Sequence, residues 1–252
     1  MKRWNLEAVL PLDYVVDESC FVNAPLGTVE NFAILLSRDV FSEGDAQFFY
    51  NYVQSRNSEF SADFLSFMDC WLADELHHYE ALRRVYRGVA GVSFDEMNLQ
   101  MAKRIPNIEP IKLVLKDEFT ILVTFMFDEM GSCISYRRDL SQYYAYFGKP
   151  IQKIAHHLVK DEGKHFNLAA ELLLQNHRDR FKEIPALLTQ IAALEASLDT
   201  YYKTFFLDHA QEKYRFPPQF NDAVICLIKA RLGIGIKPKQ SEVRELWQWQ
   251  LS

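Results

Sequence analysis

Four apolar stripes at helical spacing, each broken near its middle by an acid, constrain this chain more than any other feature. They read Phe32, Leu36, Val40, Glu43, Ala46, Tyr50; Phe64, Met68, Trp71, Glu75, His78, Leu82; Leu115, Leu122, Phe125, Glu129, Ser132, Tyr136; and Ile151, Ala155, Leu158, Glu162, His165, Ala169, Leu172. The stripes predict buried helix faces, so the acids within them are predicted to be buried too. A buried carboxylate without a partner costs several kcal/mol or takes up a proton, and four converging on one core need a cation.

The punctuation agrees with long helices. Only 9 Gly and 9 Pro occur in 252 residues, and the aromatic content of 14% implies a bulky interior. Breaks at Pro25-Leu26-Gly27, Asn57-Ser58, Gly88 to Ser93, Pro106 to Pro110, Gly148-Lys149-Pro150, Pro185, Pro217-Pro218 and Gly233 to Pro238 predict helices near 28–56, 60–88, 110–147, 150–177, 184–212 and 217–232. The first 24 residues read as an irregular or partly helical lead-in, and Trp247 and Trp249 as tail aromatics docked on the body. The expected fold is all-α: an antiparallel four-helix bundle with additional C-terminal helices. It forms one domain over 1–252, with the metal-binding bundle about 28–177 and the C-terminal helices about 184–232.

Glu-x-x-His occurs twice, in Asp74-Glu75-Leu76-His77-His78 and Asp161-Glu162-Gly163-Lys164-His165, and residues three apart on a helix face the same way. If the first two helices turn near residue 59, Glu43 and Glu75 each lie about 16 residues from the turn and so at one height. Glu129 and Glu162 are related in the same way about Gly148-Lys149-Pro150, with a small offset. Four acids and two imidazoles then share one layer, the ligand set of a di-iron or di-manganese carboxylate centre. Asp161 and Asp74 are placed to accept hydrogen bonds from His78 and His165 across the bundle. Asp39, one turn before Glu43, is the alternative first-helix ligand, and Glu118 reads as an exposed or entrance acid. His77, His156, His157, His177 and His209 have no motif partner and read as surface or hydrogen-bonded histidines.

With these residues in view, the sequence resembles the ferritin-like di-iron carboxylate superfamily, and within it the acyl-carrier-protein desaturases and related di-iron oxidases and oxygenases. Asp39-Val40-Phe41-Ser42-Glu43 is similar to the desaturases' first-helix ligand region and Phe127-Asp128-Glu129-Met130-Gly131-Ser132 to the third-helix one, within a likeness covering about residues 30–175. The resemblance implies Glu43, Glu75, His78, Glu129, Glu162 and His165 as ligands to two iron ions, Mn/Fe and Mn/Mn pairs being alternatives. It also implies activation of O2 to oxidise an organic substrate by hydroxylation, desaturation or N-oxygenation, with an electron donor and a small-molecule or carrier-protein-bound substrate. Ser132 stands where the desaturases carry a Thr and is a candidate to position a proton or water, with Gly131 leaving room for substrate. Leu82 replaces the radical tyrosine of ribonucleotide reductase small subunits, which argues against that activity. A ferritin-like iron-oxidising storage or detoxification protein is the alternative.

The net charge of −6 gives no general attraction for a nucleic-acid backbone. No stretch approaches the length of a membrane span and no signal-like run opens the chain, so a cytoplasmic protein is expected. A homodimer is compatible with the chain. The four cysteines are scattered and read as buried thiols. Arg83, Arg84 and Arg87, with Arg137 and Arg138, read as a solvated face or as a landing site for an acidic carrier.

Overall fold

The computed structural model describes residues 3–197, 203–207 and 218–235, and among these residues the chain is all-helical. The α-helices are α1 Leu6–Val9, α2 Thr28–Gln54, α3 Ala62–Ala90, α4 Phe94–Ala102, α5 Glu118–Gln142, α6 Lys149–Asn176, α7 Ile184–Ser197 and α8 Pro218–Leu232. Helices α2 and α3 pack along their length, as do α5 and α6, and α3 meets α6 between the two pairs.

Local chemistry sets the helix ends. Ser61 caps α3 by accepting the Phe64 N–H at 3.1 Å, and Gly91 ends that helix at φ 71°, a conformation glycine adopts without a Cβ clash. Gly148, at φ 91°, turns the chain into Lys149-Pro150 and so starts α6. Where 110–147 was expected as one helix, Glu109–Leu115 makes 3-10 turns and α5 starts only at Glu118. The start lies there because Asp117 and Thr120 form a reciprocal capping pair, each accepting the other's backbone N–H.

Helix α4 was not expected. It lies in the crossover and is opened by the Ser93–Glu96 capping box. Arg104, just beyond it, donates to both oxygens of Asp45, with Nε 2.8 Å from Oδ1, and Asp45 is fully buried. Gly44 allows the close approach: a Cβ there would lie 3.1 Å from both Met101 Sδ and Tyr79 Cε2. The helix expected to run to 212 does not do so. Residues 203–207 form bends, with left-handed φ at Lys203, Phe205 and Leu207, that tuck Phe205 and Phe206 into the interior. Residues 198–202 and 208–217, the tail with Trp247 and Trp249, and His209 lie outside the described residues.

The interior consists of two apolar clusters. One gathers Phe49, Phe64, Trp71, Phe125, Phe206 and Phe220, and the other Phe32, Leu82, Tyr144, Phe147, Ile151 and Leu158. Along α2, α3 and α6 the boundary between them falls at the interrupting acid, and on α5 it falls beyond Glu129, between Ile134 and Tyr136, so the polar layer lies between the two apolar regions.

Candidate metal centre

Helices α2, α3, α5 and α6 bring Glu43, Glu75, His78, Glu129, Glu162 and His165 into that layer, each no more than 4% exposed. Two groups of four result: Glu43, Glu75, His78 and Glu162, and Glu75, Glu129, Glu162 and His165. Within each, one donor atom per residue lies within 4.8 Å of all the others. Glu75 and Glu162 belong to both groups. Their two oxygens divide between the histidines. Glu75 Oε2 lies 3.1 Å from His78 Nδ1 and its Oε1 3.0 Å from His165 Nδ1, while Glu162 Oε1 and Oε2 lie 3.4 and 3.6 Å from the same two nitrogens.

Glu43 and Glu129 sit at opposite ends of the layer, and each has one oxygen held by an aromatic donor. The Tyr136 hydroxyl donates to Glu43 Oε1, and the Trp71 Nε1–H donates to Glu129 Oε1 at 2.8 Å. The remaining oxygens, Glu43 Oε2 and Glu129 Oε2, face His78 at 3.6 Å and His165 at 3.2 Å. Asp39, the alternative to Glu43, pairs with Arg38 and is in neither group.

Each histidine turns Nδ1 to the acids and Nε2 outward. His78 Nε2 lies 3.4 Å from Asp161 Oδ2, and His165 Nε2 lies 3.4 Å from Asp74 Oδ2, so each ring is oriented by the aspartate of the other motif. The lead-in closes over these aspartates. Arg3 Nε donates to Asp74 at 3.1 Å, Trp4 Nε1 donates to Asp161 at 3.0 Å, and the Trp4 ring stacks on His157 and meets His77 edge-on. Lys164 Nζ adds a 2.7 Å bond to Asp74. Of these partners, Trp71 and Tyr136 were visible as stripe residues next to the acids. Arg3 and Trp4 carry no local signal.

Other expectations change. Glu118 is buried, accepting from the Ser61 backbone N–H and hydroxyl and from His177 Nε2, where the ends of three helices converge. Arg84 and Arg87 hold the lead-in through the Leu10 and Leu12 carbonyls, and Arg83 binds Asn98 of α4. Ser132 lines a polar cavity beside Glu43 and Tyr136, and Gly131 is not part of its wall.

The electrostatics of the layer follow from burial and from the charges packed around it. Burial, with the charge of Glu75 next, pushes Glu43 and Glu162 well above the ordinary carboxylate value, and burial also raises Glu129. For Glu75 burial acts the same way, but both histidines overcome it and lower its pKa. Burial opposes charge on His78 and His165 too, yet facing carboxylates raise both well above 6.5. The carboxylates around the two imidazoles thus favour positive charge within this layer. Glu43 Oε2, Glu75 Oε1 and both oxygens of Glu162 are buried and make no well-aligned hydrogen bond, facing only the histidine Nδ1 atoms at 3.0 to 3.6 Å. Four hard carboxylates balance two divalent ions, and oxygen with imidazole donors suits first-row transition metals. Cys133, the nearby thiol, is pushed up to about 12, chiefly by burial, and stays protonated. The residues fit a two-metal centre.

A pH dependence follows. What His78 and His165 contribute to stability is present below 6.5 and is lost as pH rises through their raised values. Glu43 and Glu162, raised above 4.5, cost the fold progressively from 4.5 upward. Metal-free protein should therefore be less stable in urea at about pH 8.5 than at about pH 6. The metal-loaded protein should show the reverse, because metal competes with these protons. A metal-free profile that rises over this range would contradict the assignment.

No family model, curated protein or solved structure matches the chain. Among the described residues no helix is long and apolar enough to cross a membrane.

Proposed function

We propose that the chain is a ferritin-like di-iron carboxylate protein that activates dioxygen to oxidise an organic substrate. In this reading α2, α3, α5 and α6 form the four-helix bundle. The observation that carries the proposal is the doubled donor set, in which Glu75 and Glu162 offer one oxygen to each half while Glu43 with His78, and Glu129 with His165, complete the halves. Two ferrous ions held there would supply the electrons for dioxygen reduction.

The protein's own groups perform the rest. Asp161 and Asp74 hold Nε2–H of the two histidines, leaving Nδ1 free to donate a lone pair to a metal. Tyr136 and Trp71 hold Glu43 and Glu129 by one oxygen each. Ser132 places a hydroxyl in the cavity next to Glu43, suited to holding a water or passing a proton. The two apolar clusters keep bulk water from the layer.

The test is anaerobic loading with ferrous iron, elemental analysis, and then oxygen exposure with a reductant and a panel of organic substrates. Two irons per chain, with oxygen consumed in proportion to oxidised product, is the expected result. Many ferric ions retained per chain without organic product would establish the storage alternative. One ion or fewer at saturation would end the dinuclear reading.

A further inference from the structure

Segment 203–207 enters the interior at a cost to its own conformation. Lys203, Phe205 and Leu207 hold φ of 59°, 76° and 58°, the left-handed region that a bulky side chain rarely adopts. The Thr204 hydroxyl is fully buried and has no hydrogen-bond partner among the described residues. Aromatic packing opposes these costs. Phe206 meets Phe49 and Phe125 edge-on with ring centroids 4.5 and 4.9 Å apart, and Phe205 meets Trp71 in the same way at 4.9 Å. The Leu207 N–H donates to Asp128 Oδ1 at 2.8 Å. Phe205 and Phe206 therefore fill an aromatic recess formed by α2, α3 and α5.

We propose that this recess is the binding site of an uncharged aromatic molecule of one or two rings, and that Phe205 and Phe206 are its internal occupants, displaced when that molecule binds. Phe49, Trp71 and Phe125 set the ligand class, because ring edges and faces already matched to Phe205 and Phe206 take another ring in their place. A wall of rings disfavours a charged ligand, and the buried carboxyls of Asp128 and Glu129 further disfavour an anion. Release of the segment relaxes three left-handed residues and returns the Thr204 hydroxyl to water. Both gains offset part of the aromatic contact given up, and the ligand restores the rest. Phe205 also borders the polar cavity beside Glu43, so a ring in its place reaches the acidic layer. That the bound ring is the substrate rests on the dinuclear reading above, whereas the recess and its plug need no metal.

The experiment uses the full chain without added metal, with para-fluorotoluene as the probe followed by fluorine NMR. Hydrogen exchange of the peptide containing 203–207 is read in parallel by mass spectrometry. Iron is counted in a separate sample, so a failure of the dinuclear reading leaves this result standing. The expected result is saturable binding accompanied by faster exchange at 203–207, the reverse of the protection given by a ligand that adds to an unaltered fold. Thr204→Val removes the orphaned hydroxyl and Lys203→Gly a left-handed side chain, so each should favour the inserted segment and weaken the probe about fivefold. Phe206→Ala should tighten it. The charged analogues para-fluorobenzoate and para-fluorobenzylamine should bind about tenfold more weakly or less. No saturable binding, binding with exchange at 203–207 unchanged or slowed, unchanged affinity in both Thr204→Val and Lys203→Gly, or charged analogues that bind as tightly would overturn the proposal.

Discussion

Glu162→Met should abolish dinuclear metal binding and at the same time stabilise the metal-free protein. Both oxygens of Glu162 are buried with no well-aligned hydrogen bond, facing the two histidines only at 3.4 and 3.6 Å, and its carboxyl is raised well above 4.5, first by burial and then by Glu75 and Glu129. In the absence of metal it is a cost to the fold. Methionine fills a similar volume without charge, and its gain should be about 1–3 kcal/mol. Glu162 also belongs to both donor groups, so the same change removes a ligand from each half. In the unmodified protein the sign is opposite, since an ion present at about 100 times its Kd adds about 2.7 kcal/mol. Urea denaturation with and without ferrous iron, paired with elemental analysis, reads both effects. A variant that loses stability without metal, or that retains two ions, would contradict the site.

Arg104→Ala should cost about 3 kcal/mol, the cost of stripping the cation from a buried pair. Asp45 is fully buried, and Arg104 contacts both its oxygens from beyond α4. Because Asp45 follows Glu43 by two residues, loosening α4 from α2 should also weaken iron binding. The double variant Arg104→Met with Asp45→Leu should recover most of the stability, since replacing both partners leaves no orphaned charge. Chemical denaturation of the three proteins decides it. A single-variant cost under about 1 kcal/mol, or a double variant no better than the single, would show that the clasp contributes little.

The polar layer was legible in the sequence because its residues obey local rules. Glu75 with His78 and Glu162 with His165 are three apart on helices, and Glu43 and Glu129 stand at matching distances from turns marked by Ser61 and by Gly148-Lys149-Pro150. The start of the third long helix was misplaced because Pro110 resembles a first-turn proline, whereas the capping atoms are seven positions on, at Asp117. Helix α4 carried its own start signal in Ser93 and Glu96, but only nine residues follow, too few for a clear stripe. Glu118 read as exposed because its neighbours, Ser61 and His177, come from the ends of other helices. Arg3 and Trp4 lie 71 and 157 positions from the aspartates they touch, and no periodicity reports such a pairing.

The sharing of Glu75 and Glu162 has a consequence for how the protein is made. The hairpin of α2 and α3 emerges from the ribosome carrying Glu43, Glu75 and His78, three of the four donors of its half. The fourth is on α6, and so are two of the four donors of the other half. An ion caught by the nascent hairpin would therefore be under-coordinated, and neither half closes until α6 has been synthesised and has docked. On the dinuclear reading proposed above, metal acquisition would belong to the end of folding, when both sets of donors are complete.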